Sequence, residues 1–237
     1  MELSKRLFAV ASLVTPGNKI ADIGTDHAYI PIYLIEKNIC VSAIAMDVNE
    51  GPIERAKDHI IEAGYENQIE TRLSNGLEKL SPKEVESVII AGMGGGLVLQ
   101  ILSAHPEVTC SLKECILQPQ SEIAKVRAFL LNHGFEIIEE EMVLDEGKYY
   151  PMMKVLPPTS MDVQTECPWN EIELRYGKLL LEQNHPVLHA FLERELRIYE
   201  DIFRSIENKT GEKIQQRKEE LQQDITCIQK GLDAYDL

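Results

Sequence analysis

Lys19-Ile20-Ala21-Asp22-Ile23-Gly24-Thr25-Asp26-His27-Ala28-Tyr29 reads as an apolar strand that runs into a tight glycine turn carrying two carboxylates. In doubly wound α/β sheets a turn of this kind follows the first strand, and its dinucleotide-binding form reads G-x-G-x-x-G, with bare glycines that let the backbone approach a pyrophosphate. Here Asp26 stands at the position of the second glycine. A carboxylate there repels phosphate and attracts a cation. That disfavours an NAD-dependent oxidoreductase and favours a nucleotide cofactor that carries positive charge.

Ser42-Ala43-Ile44-Ala45-Met46-Asp47 repeats the pattern of an apolar strand ending in a carboxylate, and Asp47 lies 25 residues beyond Asp22. An acidic residue about 20 residues past the glycine turn accepts hydrogen bonds from ribose hydroxyls in doubly wound folds. An adenosine bearing a cationic group is S-adenosyl-L-methionine. Asp22, Gly24, Asp26 and Asp47 are its candidate binding residues, with Asp26 near the amino group or the sulfonium. Each aspartate alone could cap a helix; their joint spacing points to a site.

Outward from these strands, strand and turn signals alternate through Val155 as in a mostly parallel sheet covered on both faces. Strands are expected at Lys19–Ile23, Ser42–Asp47, Ile69–Leu73, Ser87–Ala91, Glu114–Leu117, Glu136–Val143 and Tyr149–Leu156. Helices are expected at His27–Lys37, Gly51–Ala63, Gly95–Ala104 and Ile123–His133. The last two strands, joined by Leu144-Asp145-Glu146-Gly147-Lys148, read as a hairpin. Ahead of the first strand, Leu3, Leu7, Val10 and Val14 recur at helical spacing. Lys5-Arg6 followed by an apolar run resembles a secretory signal, but Thr15-Pro16-Gly17 is a helix stop with no small-residue cleavage site.

Pro157-Pro158-Thr159-Ser160 breaks the alternation, and no period is evident up to Pro168, so a linker or covering loop is expected. This divides the chain into 1–158 and 159–237. In the second part Leu188, Leu192, Leu196, Tyr199, Phe203 and Ile206 step by four and three, and Ile214, Leu221, Ile225, Ile228, Leu232 and Tyr235 resume the step after Gly211. Two antiparallel, coiled-coil-like helices are expected, each about 30 Å long. Such a seam can serve stability or self-association. A role in binding would fall to the outward Arg194, Arg197, Arg204, Lys209, Lys213, Arg217 and Lys218, which are interspersed with acids.

The length allows one large domain or one with an appendage, and 44% hydrophobic with 27% charged residues is ordinary for a globular protein. No stretch approaches transmembrane length. Cys40, Cys110, Cys115, Cys167 and Cys227 contain no C-x-x-C pair. They read as reduced thiols of a cytoplasmic protein, with no disulfide framework and no metal site. The net charge of −15 argues against a generic phosphate binder. Both sides of Val155 carry more acid than base.

Three further segments carry candidate chemistry. Ala91-Gly92-Met93-Gly94-Gly95-Gly96 follows a strand, and its glycines leave room for a planar base, with Met93 as an adaptable apolar contact. Asn75-Gly76 could set an amide beside an adenine or simply form a turn. In Gln118-Pro119-Gln120 the proline ends a strand and the flanking amides could meet a nucleobase edge.

Asp-Ile-Gly-Thr-Asp-His-Ala-Tyr, Ala-Gly-Met-Gly-Gly, Leu-Gln-Pro and Glu-Gly-Lys-Tyr-Tyr, in this order ahead of a helical extension, closely resemble the bacterial tRNA (adenine(22)-N1)-methyltransferase family over nearly the whole chain. The resemblance implies a Rossmann-like class I methyltransferase domain, an antiparallel end to its sheet, and a helical C-terminal domain that helps hold tRNA. It implies S-adenosyl-L-methionine as cofactor, with Asp22, Gly24, Asp26, Asp47, Asn75, Gly76, Gly92, Met93 and Gly94 around it. The Asn/Asp-Pro-Pro-aromatic run of enzymes that methylate exocyclic amino groups is missing from the segment after Ile90. Gln120 stands where the pattern has Asn.

The implied reaction is direct transfer, in which an unpaired or flipped-out adenine attacks the sulfonium methyl through its ring nitrogen. Position and desolvation then dominate, and a base is needed at most to take a proton from the cationic product. Asp26 and His27 are the candidates for orienting the base or relaying that proton, and Tyr29 for stacking or donating a hydrogen bond. Tyr149 and Tyr150 are further stacking candidates, and Arg6 and Gln118 complete the expected substrate contacts. A possible monomer is expected, with neither membrane nor metal as partner. Two other readings stay open: a methyltransferase for a small molecule or protein, which the acidity favours, and an RNA-binding protein without catalysis.

Overall fold

The computed structural model describes residues 1–162 and 166–235. Residues 163–165, within the expected connecting segment, lie outside the described residues, as do 236–237. The chain divides into two compact units, residues 1–168 and 169–237.

The first unit contains α1 (Lys5–Ser12), β1 (Ile20–Ile23), α2 (Tyr29–Glu36), β2 (Ala43–Asp47), α3 (Glu50–Ala63), β3 (Ile69–Leu73), β4 (Ser87–Met93), α4 (Gly95–Ala104), α5 (Pro106–Thr109), β5 (Glu114–Pro119), α6 (Ile123–Asn132), β6 (Glu136–Asp145) and β7 (Lys148–Leu156). Every expected strand forms, with ends within two residues of those read from the sequence. The strands make one sheet in the order β3-β2-β1-β4-β5-β7-β6. Strand β7 runs antiparallel to both β5 and β6, and the other pairs are parallel. This is a Rossmann-like methyltransferase fold with an antiparallel end.

The central strands are buried on both faces, which is why they read as unbroken apolar runs. Helices α1 to α3 pack on one face through Val10, Leu34 and Ile60 against Ile20, Ile89 and Ile116, and α4 and α6 pack together over the other. Helix α3 stops at Gly64, whose φ of +77° suits a residue without Cβ. Glu146 and Gly147, both at positive φ, form a two-residue loop that pairs Asp145 with Lys148 and fixes the β6–β7 register.

A buried polar network ties the amino-terminal edge of the sheet together. Glu114 Oε1 accepts from the Thr15 backbone N–H at 2.9 Å and the Ser87 hydroxyl at 2.7 Å. Its Oε2 accepts from the Thr15 hydroxyl and lies 3.1 Å from Lys154 Nζ. Asn18 in turn donates to Ser87. Burial alone would raise the Glu114 carboxyl, but these hydrogen bonds outweigh it and hold the group below its ordinary range.

The second unit contains α7 (Glu171–Tyr176), α8 (Lys178–Glu182), α9 (Pro186–Ile206) and α10 (Glu212–Asp233). The long pair is the expected hairpin, turning at Gly211 with φ +129°. Helices α7 and α8 were not anticipated, although Asn170-x-x-Glu173 forms a full capping box at the start of α7. Lys218 donates to the carbonyls of Glu207 and Lys209 and so closes the C-terminus of α9.

Candidate active site

The strand order reverses between β1 and β4, and sheets of this kind bind ligands beyond the carboxyl ends of the strands at such a point. The glycine turns after β1 and β4 are therefore neighbours in space. Gly24 and Thr25 N–H both donate to the Met46 carbonyl at 2.8 and 2.9 Å, folding the first turn over β2. Gly24 has φ +79°, and a Cβ built on it would lie 2.1 Å from Met93 Cε. The turn thus needs glycine for its backbone, and Met93 rests on it.

A cleft of about 340 Å³ opens there, lined by Arg6, Asp22, Gly24, Thr25, Asp26, His27, Tyr29, Gly92 and Gln120 among others. Asp22 is 7% exposed. Loss of water raises its carboxyl to about 6; the Thr25 hydroxyl opposes the rise and the like charge of Asp47 adds to it. Asp47, at the end of β2 and outside the lining of this cleft, accepts at Oδ1 from the Asn49 backbone and amide. His27 Nδ1 is buried and makes no hydrogen bond among the described residues.

Asp26 has neighbours that the sequence did not reveal. Its Oδ1 accepts from both Nε and Nη2 of Arg55, and its Oδ2 lies 3.3 Å from His27 Nε2. The carboxylate expected to face the cofactor's positive charge is therefore shared with a guanidinium. His27, Tyr29 and His59 form a cluster of nearly parallel rings, with centroids 4.9 to 5.6 Å apart. Arg55 and His59 stand one turn apart on α3, interleaved with buried Ala56 and Ile60. That polar stripe was visible in the sequence, but nothing there showed it facing the first glycine turn.

Gln118 requires a correction. It is fully buried; its Oε1 accepts from Arg6 Nη1 at 3.1 Å and Gly92 N–H at 3.2 Å, and its Nε2 donates to the Pro119 carbonyl. No edge remains for a nucleobase, so Gln118 positions Arg6 and the β4 turn while Gln120 faces the cleft. Arg6 is further held by its backbone N–H donating to Asp145 and by its guanidinium 5.5 Å from the Tyr150 ring centroid. Tyr149, the next residue along β7, points to the opposite side of the hairpin from Tyr150. Asn75 is exposed in a turn, and Gly76 packs against Ile101; neither lines the cleft. Gly94 is the N-cap of α4, and its position abuts the Ser121 hydroxyl.

Comparison with known proteins bears on this geometry. A family model described as a methyltransferase domain matches residues 3–153. The tRNA (adenine(22)-N(1))-methyltransferase of Bacillus subtilis is 30% identical, with 98% of each chain covered. The chain belongs to the tRNA (adenine(22)-N1)-methyltransferase family. Within it, Streptococcus pneumoniae Sp1610, solved with S-adenosyl-L-methionine, superposes with a TM-score of 0.84 at 31% identity, covering 98% of this chain and all of that one. TrmK of M. capricolum, solved with S-adenosyl-homocysteine, superposes with a TM-score of 0.80 at 29% identity, covering 99% of this chain and all of that one.

The residues present fit the cofactor of that family. A buried carboxylate with a raised pKa suits an ammonium, and the Asp47 carboxylate at the end of β2 suits ligand hydroxyls. Among the described residues, no cluster of His, Cys, Asp or Glu is arranged to hold a metal ion, and no helix is long and apolar enough to cross a membrane.

Proposed function

We propose that this chain transfers a methyl group from S-adenosyl-L-methionine to N1 of adenine 22 in tRNA. The cleft at the β1–β4 reversal carries the proposal, because its acids suit a cationic cofactor and its rings offer a face to a base. When bound, the cofactor supplies an electrophilic methyl group to the lone pair of the ring nitrogen. Asp22 and Asp47 hold the cofactor, with Gly24, Gly92, Met93 and Gly94 shaping the space. Tyr29 and His27 stack and orient the adenine, and Arg6 contacts a phosphate nearby. Residues 1–158 form the catalytic domain and 159–237 the part that steadies tRNA, working as a cytoplasmic monomer.

In the helical part, Arg204 and Arg217 are paired with acids and Lys218 caps α9. Arg197, Lys209 and Lys213 have no acidic partner among the described residues and are the better candidates for tRNA phosphates. The excess of acid favours a second reading, a small-molecule or protein methyltransferase. Mass spectrometry of nucleosides from tRNA incubated with the protein and cofactor separates them. The expected product is 1-methyladenosine at position 22; a cofactor-binding protein that leaves tRNA unmodified would establish the second reading.

A further inference from the structure

We infer that Gln120 reads the target base, its amide clasping the N6 amino group and N7 of adenine and so leaving N1 turned toward the methyl donor. The inference rests on the methyl transfer proposed above. Strands β2, β1, β4 and β5 follow one another across the sheet. With the cofactor's ribose at Asp47 on β2 and its ammonium at Asp22 on β1, the acceptor falls over the ends of β4 and β5. There the β4–β5 register shifts between Ala91 and Met93, which bulges Gly92 out of the ladder. A Cβ built on Gly92 would lie 3.7 Å from Gln120 Nε2 and 3.5 Å from Arg6 Nη1, so these two polar ends close on a backbone that carries no side chain. Gln120 is the first residue past β5, and its backbone N–H donates to the Met93 carbonyl at 2.8 Å. The Gln118 amide is spent on Arg6, Gly92 and Pro119. That of Gln120 is exposed, lines the cleft and makes no hydrogen bond among the described residues.

Adenine offers such an amide one edge that does not block the reaction. Its Watson–Crick edge contains N1, which must face the sulfonium. Its Hoogsteen edge presents the N7 acceptor beside the N6 donor, and a Gln amide matches both at once, Oε1 accepting from N6 and Nε2 donating to N7. Guanine presents two acceptors on that edge, one of which would face Oε1. Held from the β5 side in this way, the ring keeps N1 free on the neighbouring edge and turned toward β1. A neutral amide suits the position, because a carboxylate at 120 would pair with the Arg6 guanidinium instead.

The test uses the full-length protein and tRNA assembled with either adenine or 7-deazaadenine at position 22. Replacing N7 by C–H removes one acceptor and leaves N1 no weaker as a nucleophile. Wild type should lose about tenfold in kcat/KM on the 7-deaza tRNA, as expected for one hydrogen bond. Gln120→Ala should lose about fiftyfold on adenine, keep its cofactor affinity by calorimetry within about twofold, and show no further loss on 7-deazaadenine. Gln120→Met, which keeps the length without the amide, should behave as the alanine variant does. An equal 7-deaza penalty in wild type and variants, or none in wild type, would overturn the inference. Unchanged turnover in the variants, or a loss traced to cofactor affinity, would do the same. Absence of 1-methyladenosine from wild-type reactions with unmodified tRNA would instead defeat the proposed function, and this inference with it.

Discussion

Two carboxylates buried on the same face of one sheet have opposite fates. Glu114, at the amino-terminal edge, receives hydrogen bonds or an ion pair from Thr15, Ser87 and Lys154 and is held below its usual range. Asp22, at the carboxyl-terminal edge, is pushed up to about 6 by loss of water, with the Thr25 hydroxyl opposing the rise. Both are nearly closed to solvent, but Asp22 lies deeper and receives fewer hydrogen bonds, so desolvation prevails there and hydrogen bonding prevails at Glu114. A group fully satisfied by its own chain holds the fold together, and one left open waits for a ligand.

The largest expected effect tests the satisfied end. Glu114→Gln removes the charge opposite Lys154 and should cost about 3 kcal/mol in denaturant unfolding while leaving cofactor affinity unchanged. Asp22→Asn should do the reverse, weakening cofactor binding about a hundredfold by calorimetry and raising stability at neutral pH by about 1–3 kcal/mol. A destabilised Asp22→Asn protein would erase the contrast.

Acid titration sharpens it, because the two groups have opposite signs. Stability from Asp22 is present below its ordinary value of 3.8 and lost as pH rises through about 6. Stability from Glu114 is present above its ordinary value of 4.5 and lost as pH falls through its lowered value. Wild type and Asp22→Asn should therefore converge in stability below pH 3.8, and cofactor affinity should decline as pH drops below about 6, both readable by melting and calorimetry. The smallest effects come from single hydroxyls. Ser87→Ala should cost about 1–2 kcal/mol, whereas Thr25→Val should change stability by less than about 0.5 kcal/mol and reduce cofactor affinity a few-fold.

Much of this was legible in the sequence. The strand from Ile20 to Ile23, its glycine turn and Asp47 announced both the sheet and its pocket, because apolar runs ended by turn residues are read locally. Glu146-Gly147 and Gly211 marked their turns for the same reason. Contacts across the chain were not legible. The sequence could not show that Arg55 meets Asp26 across 29 positions, or that His59 stacks on His27 rather than facing water. Gln118 looked like a reader of bases because its strand position was right, but which way its amide turned depended on Arg6, 112 residues away. Helices α7 and α8 are too short for periodicity to register, and only the cap at Asn170 gave a local sign of α7.

Arg6 is pinned at three points, by Asp145, by Gln118 and by the Tyr150 face. A free arginine gives up about 2 kcal/mol of rotamer entropy when it is immobilised, and here that loss is incurred during folding, before any polynucleotide arrives. A phosphate contact made by so preset a cation should survive dilution of the surrounding positive charge, and its removal by Arg6→Gln should lower the salt slope of tRNA binding by about one contact's worth.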